Sequence, residues 1–442
     1  MVIDPIYHLH AVKDPITYFE NDPWAAGVIG LGYVGLPLLL AAAARGLGGV
    51  GYDVAETQIE NLRRGQSHVD DVSNDDLSVA IDSGVEFSSD PSLLSKADTI
   101  FICVPSPLGR NRQPDLSYIE SAAETVASVA RPGQLICLES TTYPGTTEDS
   151  LLPAIEKAGL KLDVDVWLAF SPERVSPGEK LKTAQIPKVI GGVSATSGKV
   201  AAAAYRRIVP DVHLVSSART AEMSKLLENT YRAINIGLVN EMAQLCHELD
   251  IDIWEVIEAA ATKPFGFQPF YPGPGVGGHC IPLDPQYLAW RAREANFETR
   301  FIETADHVNS KMPEYTVQRV ADLLNASGHS VKGSRILILG IAYKPDISDD
   351  RESASVEVAK RLLKRGAEIS VIDPFIGSER IAEHGFIPIE SMDLLSEIDI
   401  AVVLTDHSET PYEHIANAVP VVFDARGVFR RLGILADNVE SL

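Results

Sequence analysis

The chain is poor in cysteine: Cys103, Cys137, Cys246 and Cys280 are its four, spread over 442 residues with no C-x-x-C pair. That spacing argues against a disulfide framework and makes a reducing, cytoplasmic setting the expectation. No apolar run is long enough to cross a bilayer, and the first residues lack a basic-then-apolar leader pattern, so no membrane partner is expected. Basic charge is also scarce. The 38 Lys and Arg stand against 61 Asp and Glu, a formal net charge of −23. This balance speaks against a nucleic-acid partner and for a solvated acidic exterior. It does not exclude an anionic ligand, because a few backbone N–H groups and local cations hold a phosphate inside an acidic protein.

What is present is apolar material for more than one core, with 45% of 442 residues hydrophobic, enough for two or three domains. Residues 1–24 are polar, aromatic and proline-punctuated and read as an N-terminal extension. Over 25–212, apolar runs at 25–29, 48–52, 99–103, 134–138, 166–170 and 188–191 alternate with helical stretches. They read as buried strands of a doubly wound sheet, parallel throughout. Over 213–330 the texture is helical, with one long helix at 220–249 and another at 253–261. A Pro- and Gly-dense loop at 264–285 follows, returning to helix near 286–296. Over 331–442 strands recur at 335–340, 368–373, 400–404 and 420–424. The expected fold class is α/β, with two Rossmann-like doubly wound domains joined by a long-helix connector.

Gly30-Leu31-Gly32-Tyr33-Val34-Gly35 is a G-x-G-x-x-G placed after a strand and opening a helix. The first glycine permits the turn, the second admits a pyrophosphate to the backbone, and the third lets helix pack on strand. Asp53 ends the next strand, where a carboxylate accepts both ribose hydroxyls and repels a 2′-phosphate, so NAD is expected over NADP. A purely structural turn would not require the acid at that spacing.

Gly273-Pro274-Gly275-Val276-Gly277-Gly278-His279-Cys280-Ile281-Pro282-Leu283-Asp284 sets a thiol among glycines. Cys103 and Cys137 lie in strand-like runs and Cys246 follows a helical stretch, where a thiol packs as a small hydrophobe. Glycines let backbone approach a ligand, so Cys280 is the thiol expected to do chemistry.

From about residue 25 to about residue 433 the chain resembles the UDP-sugar 6-dehydrogenase family. The resemblance rests on the glycine motif, Val104-Pro105-Ser106-Pro107, Glu139-Ser140-Thr141, Ser171-Pro172-Glu173-Arg174, the K-x-x-x-N pair Lys225 and Asn229, the cysteine loop, and Gly340 to Ser353 with Tyr343-Lys344 and Arg351-Glu352-Ser353. It implies four-electron oxidation of a sugar C6 hydroxyl to a carboxylate, with two NAD reduced. An aldehyde is a poor hydride donor until a nucleophile adds. Thiolate addition gives a thiohemiacetal, a second hydride transfer leaves a thioester, and water cleaves it.

By the resemblance, Cys280 is the nucleophile and Lys225 and Asn229 attend the oxyanion. Asp284 and Thr141 position water, and Glu173 assists thioester hydrolysis. NAD falls to Gly30, Gly32, Tyr33, Val34, Gly35, Asp53, Pro105, Ser106, Thr141 and Arg351. The UDP-sugar falls to Glu173, Arg174, Lys225, Asn229, Phe270, Tyr271, Gly275, Gly277 and Lys344. No metal is assigned.

Glucose-oxidising members carry a Glu where Pro177 stands, a Lys where Leu283 stands and often a cation where Gln58 stands. The P-E-R-x-x-P-G and G-G-H-C-I-P-x-D-P forms resemble the UDP-N-acetylhexosamine branch, and residues 263–273 resemble UDP-N-acetylglucosamine 6-dehydrogenases in particular, so UDP-N-acetyl-D-glucosamine is the favoured substrate. UDP-N-acetylmannosamine, UDP-N-acetylgalactosamine and UDP-glucose are the alternatives within the class. A two-electron 3-hydroxyacid-type dehydrogenase would need neither the loop cysteine nor a second nucleotide domain, and a non-enzymatic nucleotide binder would need none of Lys225, Asn229 and Cys280. The long helix is more apolar than one small domain needs, so a homodimer built on it is expected.

Overall fold

A computed structural model describes residues 14–442 except 70, 110–112, 175–184, 279 and 390. Strands β1 (Ala26–Ile29), β2 (Gly49–Tyr52), β3 (Glu86–Ser88), β4 (Thr99–Ile102), β5 (Gln134–Leu138), β6 (Val166–Phe170), β7 (Lys188–Gly192) and β8 (Val212–Leu214) form one sheet. Its order is β3-β2-β1-β4-β5-β6-β7-β8. The six strands β1, β2 and β4–β7 are buried along their whole length, which is why they read as unbroken apolar or small-residue runs rather than alternating ones. Chain order reverses beside β1, where β1 pairs with both β2 and β4; ligands bind at such a switch point in open α/β sheets.

The expectation of a wholly parallel sheet is corrected at β7, which runs antiparallel to β6 with Phe170 opposite Gly191. The short strands β3 and β8 were not legible in the sequence. β8 has no buried residue, so no apolar run marks it.

Residues 14–24 pack against the core of this sheet. The helix Pro15–Asn21 is N-capped by Asp14, and Phe19 and Trp24 are buried in the same cluster as Trp167 and Tyr205. The Trp24 indole N–H donates to the Phe19 carbonyl at 3.1 Å.

Strands β9 (Arg335–Leu339), β10 (Glu368–Ile372), β11 (Ile387–Pro388), β12 (Ile400–Val403), β13 (Val422–Asp424) and β14 (Val439–Ser441) form a second sheet, in the order β11-β10-β9-β12-β13-β14. Every pairing in it is parallel. Two doubly wound α/β sheets are thus present.

Between the sheets in sequence lies the 31-residue helix Ala218–Glu248. Its buried positions, among them Ala218, Glu222, Lys225, Asn229, Ala233 and Asn240, recur at helical spacing, the signature of a helix with one inward stripe. Helices Ile253–Ala261, Asp284–Glu294 and Arg300–Ala326 follow. Contacts divide the described chain into two compact units. The first runs to Glu228 and takes in Gln286–Asn296, and the second comprises Asn229–Pro285 and Phe297–Leu442.

Candidate active site

In the first unit the turn after β1 is built on steric necessity. Gly30 has φ +88°, and a Cβ there would lie 2.5 Å from the Cys103 carbonyl oxygen. A Cβ on Gly35 would meet the Gly30 carbonyl oxygen at 1.9 Å, whereas one on Gly32 would have no described atom within 4 Å. Gly30 and Gly35 therefore close the turn, and Gly32 leaves space open beside it. The helix Gly35–Ala43 starts at Val34 without a side-chain cap; its Leu36 amide donates to the Gly32 carbonyl at 3.1 Å and Pro37 has no N–H, so an anion at this helix start would be met by the helix dipole and the amides of Val34 and Gly35. Tyr33 is about half exposed at the turn.

Asp53 is fixed by this loop. One of its oxygens accepts from the Leu31 amide at 2.9 Å and the other from the Ala55 amide at 3.0 Å. A carboxylate has about four acceptor sites, so capacity for two ribose hydroxyls remains. The residues present fit NAD. His68, not singled out in the sequence, braces the loop from behind through the Leu31 carbonyl at 2.9 Å.

Beyond β4, Ser140 donates to the Val104 carbonyl at 2.7 Å, and the fully buried Tyr287 donates to the carbonyls of Ser106 at 2.9 Å and Pro107 at 3.1 Å. These bonds hold the Pro105-Ser106 backbone. Thr141 follows Ser140 and is partly buried.

Lys225 and Glu173 are brought together: the Lys225 ammonium donates to the Glu173 carbonyl oxygen at 2.6 Å, and both residues are buried. The Glu173 carboxylate faces a lysine the sequence did not flag, Lys188, at 3.3 Å. Arg174 is engaged elsewhere, with Glu228 at 2.9 Å and the Pro187 carbonyl at 3.1 Å. Pro177 lies outside the described residues.

In the second unit, Asn229 donates to Asp284 at 2.5 Å, with both side chains buried. The Asp284 amide in turn donates to the Cys280 carbonyl at 2.9 Å. The thiol residue therefore sits on the turn that starts the helix Asp284–Glu294. Cys280 is partly exposed.

The glycines ahead of it are required by close packing. A Cβ on Gly277 would lie 2.9 Å from Tyr343 Cβ, and one on Gly278 (φ +82°) 2.9 Å from the Tyr343 ring. A Cβ on Gly275 would lie 2.9 Å from Ala354 Cβ. The start of the loop is pinned by Asn240, which accepts from the Gly273 amide at 3.0 Å and donates to Asn309 at 2.9 Å. Burial, then the nearby Asp349 and Cys280, push the Tyr343 phenol up. Phe270 packs against Tyr231 at 5.8 Å and Tyr271 stacks on Trp254 at 6.1 Å.

Lys344, next to Tyr343, is partly buried. Arg351 forms a two-pronged pair with Asp349 at 2.9 and 2.7 Å. In this loop Asp373, at the end of β10, takes the place that Asp53 has in the first sheet. It accepts from the amides of Ile341, Ala342, Phe375 and Ile376 and from the His407 ring at 3.1 Å. His407 Nδ1 accepts from the Asp346 amide at 3.0 Å, which leaves its Nε2 as the donor to Asp373. With five donors, Asp373 has no capacity for ribose hydroxyls. The two sheets share a topology while only the first offers a dinucleotide acid.

A mostly parallel sheet with a glycine turn, a helix start without a side-chain cap and an unsaturated acid at its switch point defines a Rossmann-type NAD-binding oxidoreductase. Residues 25–209 match the NAD binding domain of the UDP-glucose/GDP-mannose dehydrogenase family, 219–311 its central domain and 337–431 its UDP binding domain. A UDP-N-acetyl-D-glucosamine 6-dehydrogenase of Pseudomonas aeruginosa is 34% identical, covering 82% of this chain and 86% of that protein. A UDP-N-acetyl-D-mannosamine dehydrogenase of Methanococcus maripaludis is 36% identical over 86% of this chain and 85% of its own length. The solved UDP-D-ManNAc dehydrogenase of Pyrococcus horikoshii superposes with a TM-score of 0.85 at 31% identity, covering 94% of this chain and 98% of that one. The chain belongs to the UDP-glucose/GDP-mannose dehydrogenase family. Its activity is that of an NAD-dependent UDP-sugar dehydrogenase. Among the described residues no helix is long and apolar enough to cross a membrane.

Proposed function

We propose that the chain oxidises the C6 hydroxyl of a UDP-N-acetylhexosamine, UDP-N-acetyl-D-glucosamine first, to the uronic acid through a thioester on Cys280. The observation that carries this reading is the cysteine loop. Gly277 and Gly278 are moulded onto Tyr343, and the residue they deliver is a partly exposed thiol at the head of the helix bearing Asp284. A purely structural thiol needs no such cradle. Relatives named for the glucosamine and the mannosamine substrates support the N-acetylhexosamine class, and the resemblance of residues 263–273 inclines the choice to the former.

NAD, bound at Gly30 to Gly35 and Asp53, supplies the hydride acceptor. Lys225, whose ammonium is held by the Glu173 carbonyl, stabilises the oxyanion at the reacting carbon. Asn229 lies one helical turn on and shares that face. Its bond to Asp284 fixes the carboxylate that, with Thr141, positions a water. Cys280 adds to the aldehyde carbon. Glu173 takes the proton of the water that cleaves the thioester. Pro105, Ser106 and Arg351 serve the cofactor, and Arg174, Phe270, Tyr271, Gly275, Gly277 and Lys344 serve the UDP-sugar.

In this reading 25–212 holds NAD, 213–330 carries the thiol and 331–442 holds UDP. A homodimer is proposed on the helix Ala218–Glu248, whose exposed Met223, Leu227, Tyr231, Leu238 and Leu245 recur at helical spacing as a second apolar stripe. A monomeric mass by light scattering would sink it. The cytoplasm is the proposed location. The substrate is tested with a panel of UDP-sugars read by NADH absorbance: UDP-N-acetyl-D-glucosamine should give the highest kcat/KM and two NADH per sugar. A higher value for the mannosamine epimer or UDP-glucose reassigns the sugar, and one NADH per sugar refutes the thioester route.

A further inference from the structure

The antiparallel strand β7 has a chemical consequence. Glu139 follows β5 and Glu173 follows β6, both beyond the carboxyl ends of parallel strands, where a doubly wound sheet places its ligands. A parallel β7 would start at the opposite edge. Because β7 runs the other way, with Phe170 opposite Gly191, extending the register brings its first residue, Lys188, opposite Glu173. The Lys188 ammonium is buried between two carboxylates, 2.5 Å from Glu139 and 3.3 Å from Glu173. Behind Glu139, Tyr205 donates to the carboxylate and lies 3.2 Å from the Cys137 sulfur. The other Glu173 oxygen accepts from the Arg174 amide at 2.6 Å.

We propose that Lys188, anchored by Glu139, is a positioning residue for Glu173, orienting this carboxylate and setting its appetite for the proton of the hydrolytic water. The inference rests on the assignment of Glu173 made above. In the step concerned, the water oxygen bonds to the thioester carbon and its proton passes to Glu173. The C–S bond breaks with its electron pair returning to the Cys280 sulfur.

One buried ammonium is shared by two carboxylates. The negative charge of Glu139 favours transfer of a proton to Glu173, while Lys188 keeps the accepting group in place. Burial, opposed by Lys188 and helped by Glu173, pushes the Glu139 carboxyl up. Burial alone would lower Lys188, but the two carboxylates overcome it and hold the ammonium charged. The other titratable groups facing the cluster are Cys103 beyond β4, Cys137 of β5 and Tyr205 of the helix Ala195–Arg206. All three are pushed up by burial and stay neutral. Lys225 and Arg174 reach Glu173 through its own backbone and the next amide.

The test uses Lys188→Met, Lys188→Arg, Glu139→Gln and Glu173→Gln in the full chain. Each is checked for thermal stability and NAD binding, then assayed with whichever of UDP-N-acetylglucosamine and UDP-N-acetylmannosamine is turned over faster. Lys188→Met should keep its single-turnover NADH burst, lose on the order of 10²-fold in kcat and accumulate an acyl adduct on Cys280, seen by intact mass. Lys188→Arg should recover part of the rate. Glu139→Gln should move the acid limb of the kcat profile to lower pH, a shift that a packing defect would not produce. An unchanged profile in folded Glu139→Gln, or folded Lys188→Met without adduct, overturns the inference. If Lys188→Met does not fold, the Glu139→Gln profile decides alone. An adduct in Glu173→Gln but not in Lys188→Met sinks the inference alone; its absence from Glu173→Gln sinks the Glu173 assignment with it.

Discussion

Gly32→Ala and Gly35→Ala should separate two duties of one motif. At Gly35 an added Cβ would stand 1.9 Å from the Gly30 carbonyl oxygen, 2.9 Å from Val28 Cγ1 and 3.1 Å from Cys103 Cβ. The first of these is backbone, so the helix Gly35–Ala43 must back away from β1 by roughly 1 Å, and overpacking of this kind costs about 1–3 kcal/mol or more. For a unit of this size each kcal/mol lowers the unfolding midpoint by roughly 2–4 °C. NAD binding should be lost with it, because the helix start would be displaced. At Gly32 the Cβ enters open space, so the apo protein should keep its stability or gain about 0.4–1 kcal/mol from the narrower unfolded ensemble. NAD affinity should nonetheless fall at least tenfold, about 1.4 kcal/mol, because the methyl group occupies the approach to the backbone. Differential scanning fluorimetry without cofactor and calorimetric NAD titration read the two quantities apart. The reasoning fails if Gly32→Ala binds NAD within twofold of the parent, or if Gly35→Ala melts with it.

Cys280→Ser should abolish steady-state acid formation, followed by chromatography of the product; unchanged turnover would remove the thiol from the chemistry. Phe19→Ala empties a fully buried site and should cost about 3–5 kcal/mol, with the KM for NAD unaltered, as measured by urea unfolding beside steady-state kinetics. Although burial works to raise Asp373, His407 and the backbone amides bring it below its ordinary value of 3.8. A depressed carboxyl stabilises above the unfolded pKa and loses that contribution as pH falls through the folded one. Asp373→Asn should therefore weaken the second unit at pH 7 by on the order of 1–3 kcal/mol, and the gap between the two urea midpoints should narrow below about pH 4; a gap as wide at pH 3 as at pH 7 contradicts the assignment.

What the sequence could and could not disclose follows from range. β1, β4, β5 and β6 are buried on both faces, so each appears as an apolar run, and the glycine turn with Asp53 needs only the next strand to be recognised. Lys225 with Asn229 and Cys280 with Asp284 are each separated by one helical turn or one tight turn, so local spacing already hints at a shared face. The bonds that organise these residues join distant segments: Lys225 to Glu173, Asn229 to Asp284, and Tyr287 to Ser106 and Pro107. No periodicity encodes them. Phe19 and Trp24 are not legible as core because seven helical residues flanked by polar chain resemble a tail until Trp167 packs beside them. Lys188 was hidden most completely. As the first residue of an apolar strand it passes for a solvated lysine at a sheet edge, since charged residues usually escape burial at such an end. Only strand direction reveals otherwise, and Lys188-Val189-Ile190-Gly191-Gly192 is equally apolar read forwards or backwards. The antiparallel pairing with β6 places Lys188 as a buried ammonium between Glu139 and Glu173, at the edge where NAD-binding sheets do their chemistry, and not as an exposed lysine at the other edge.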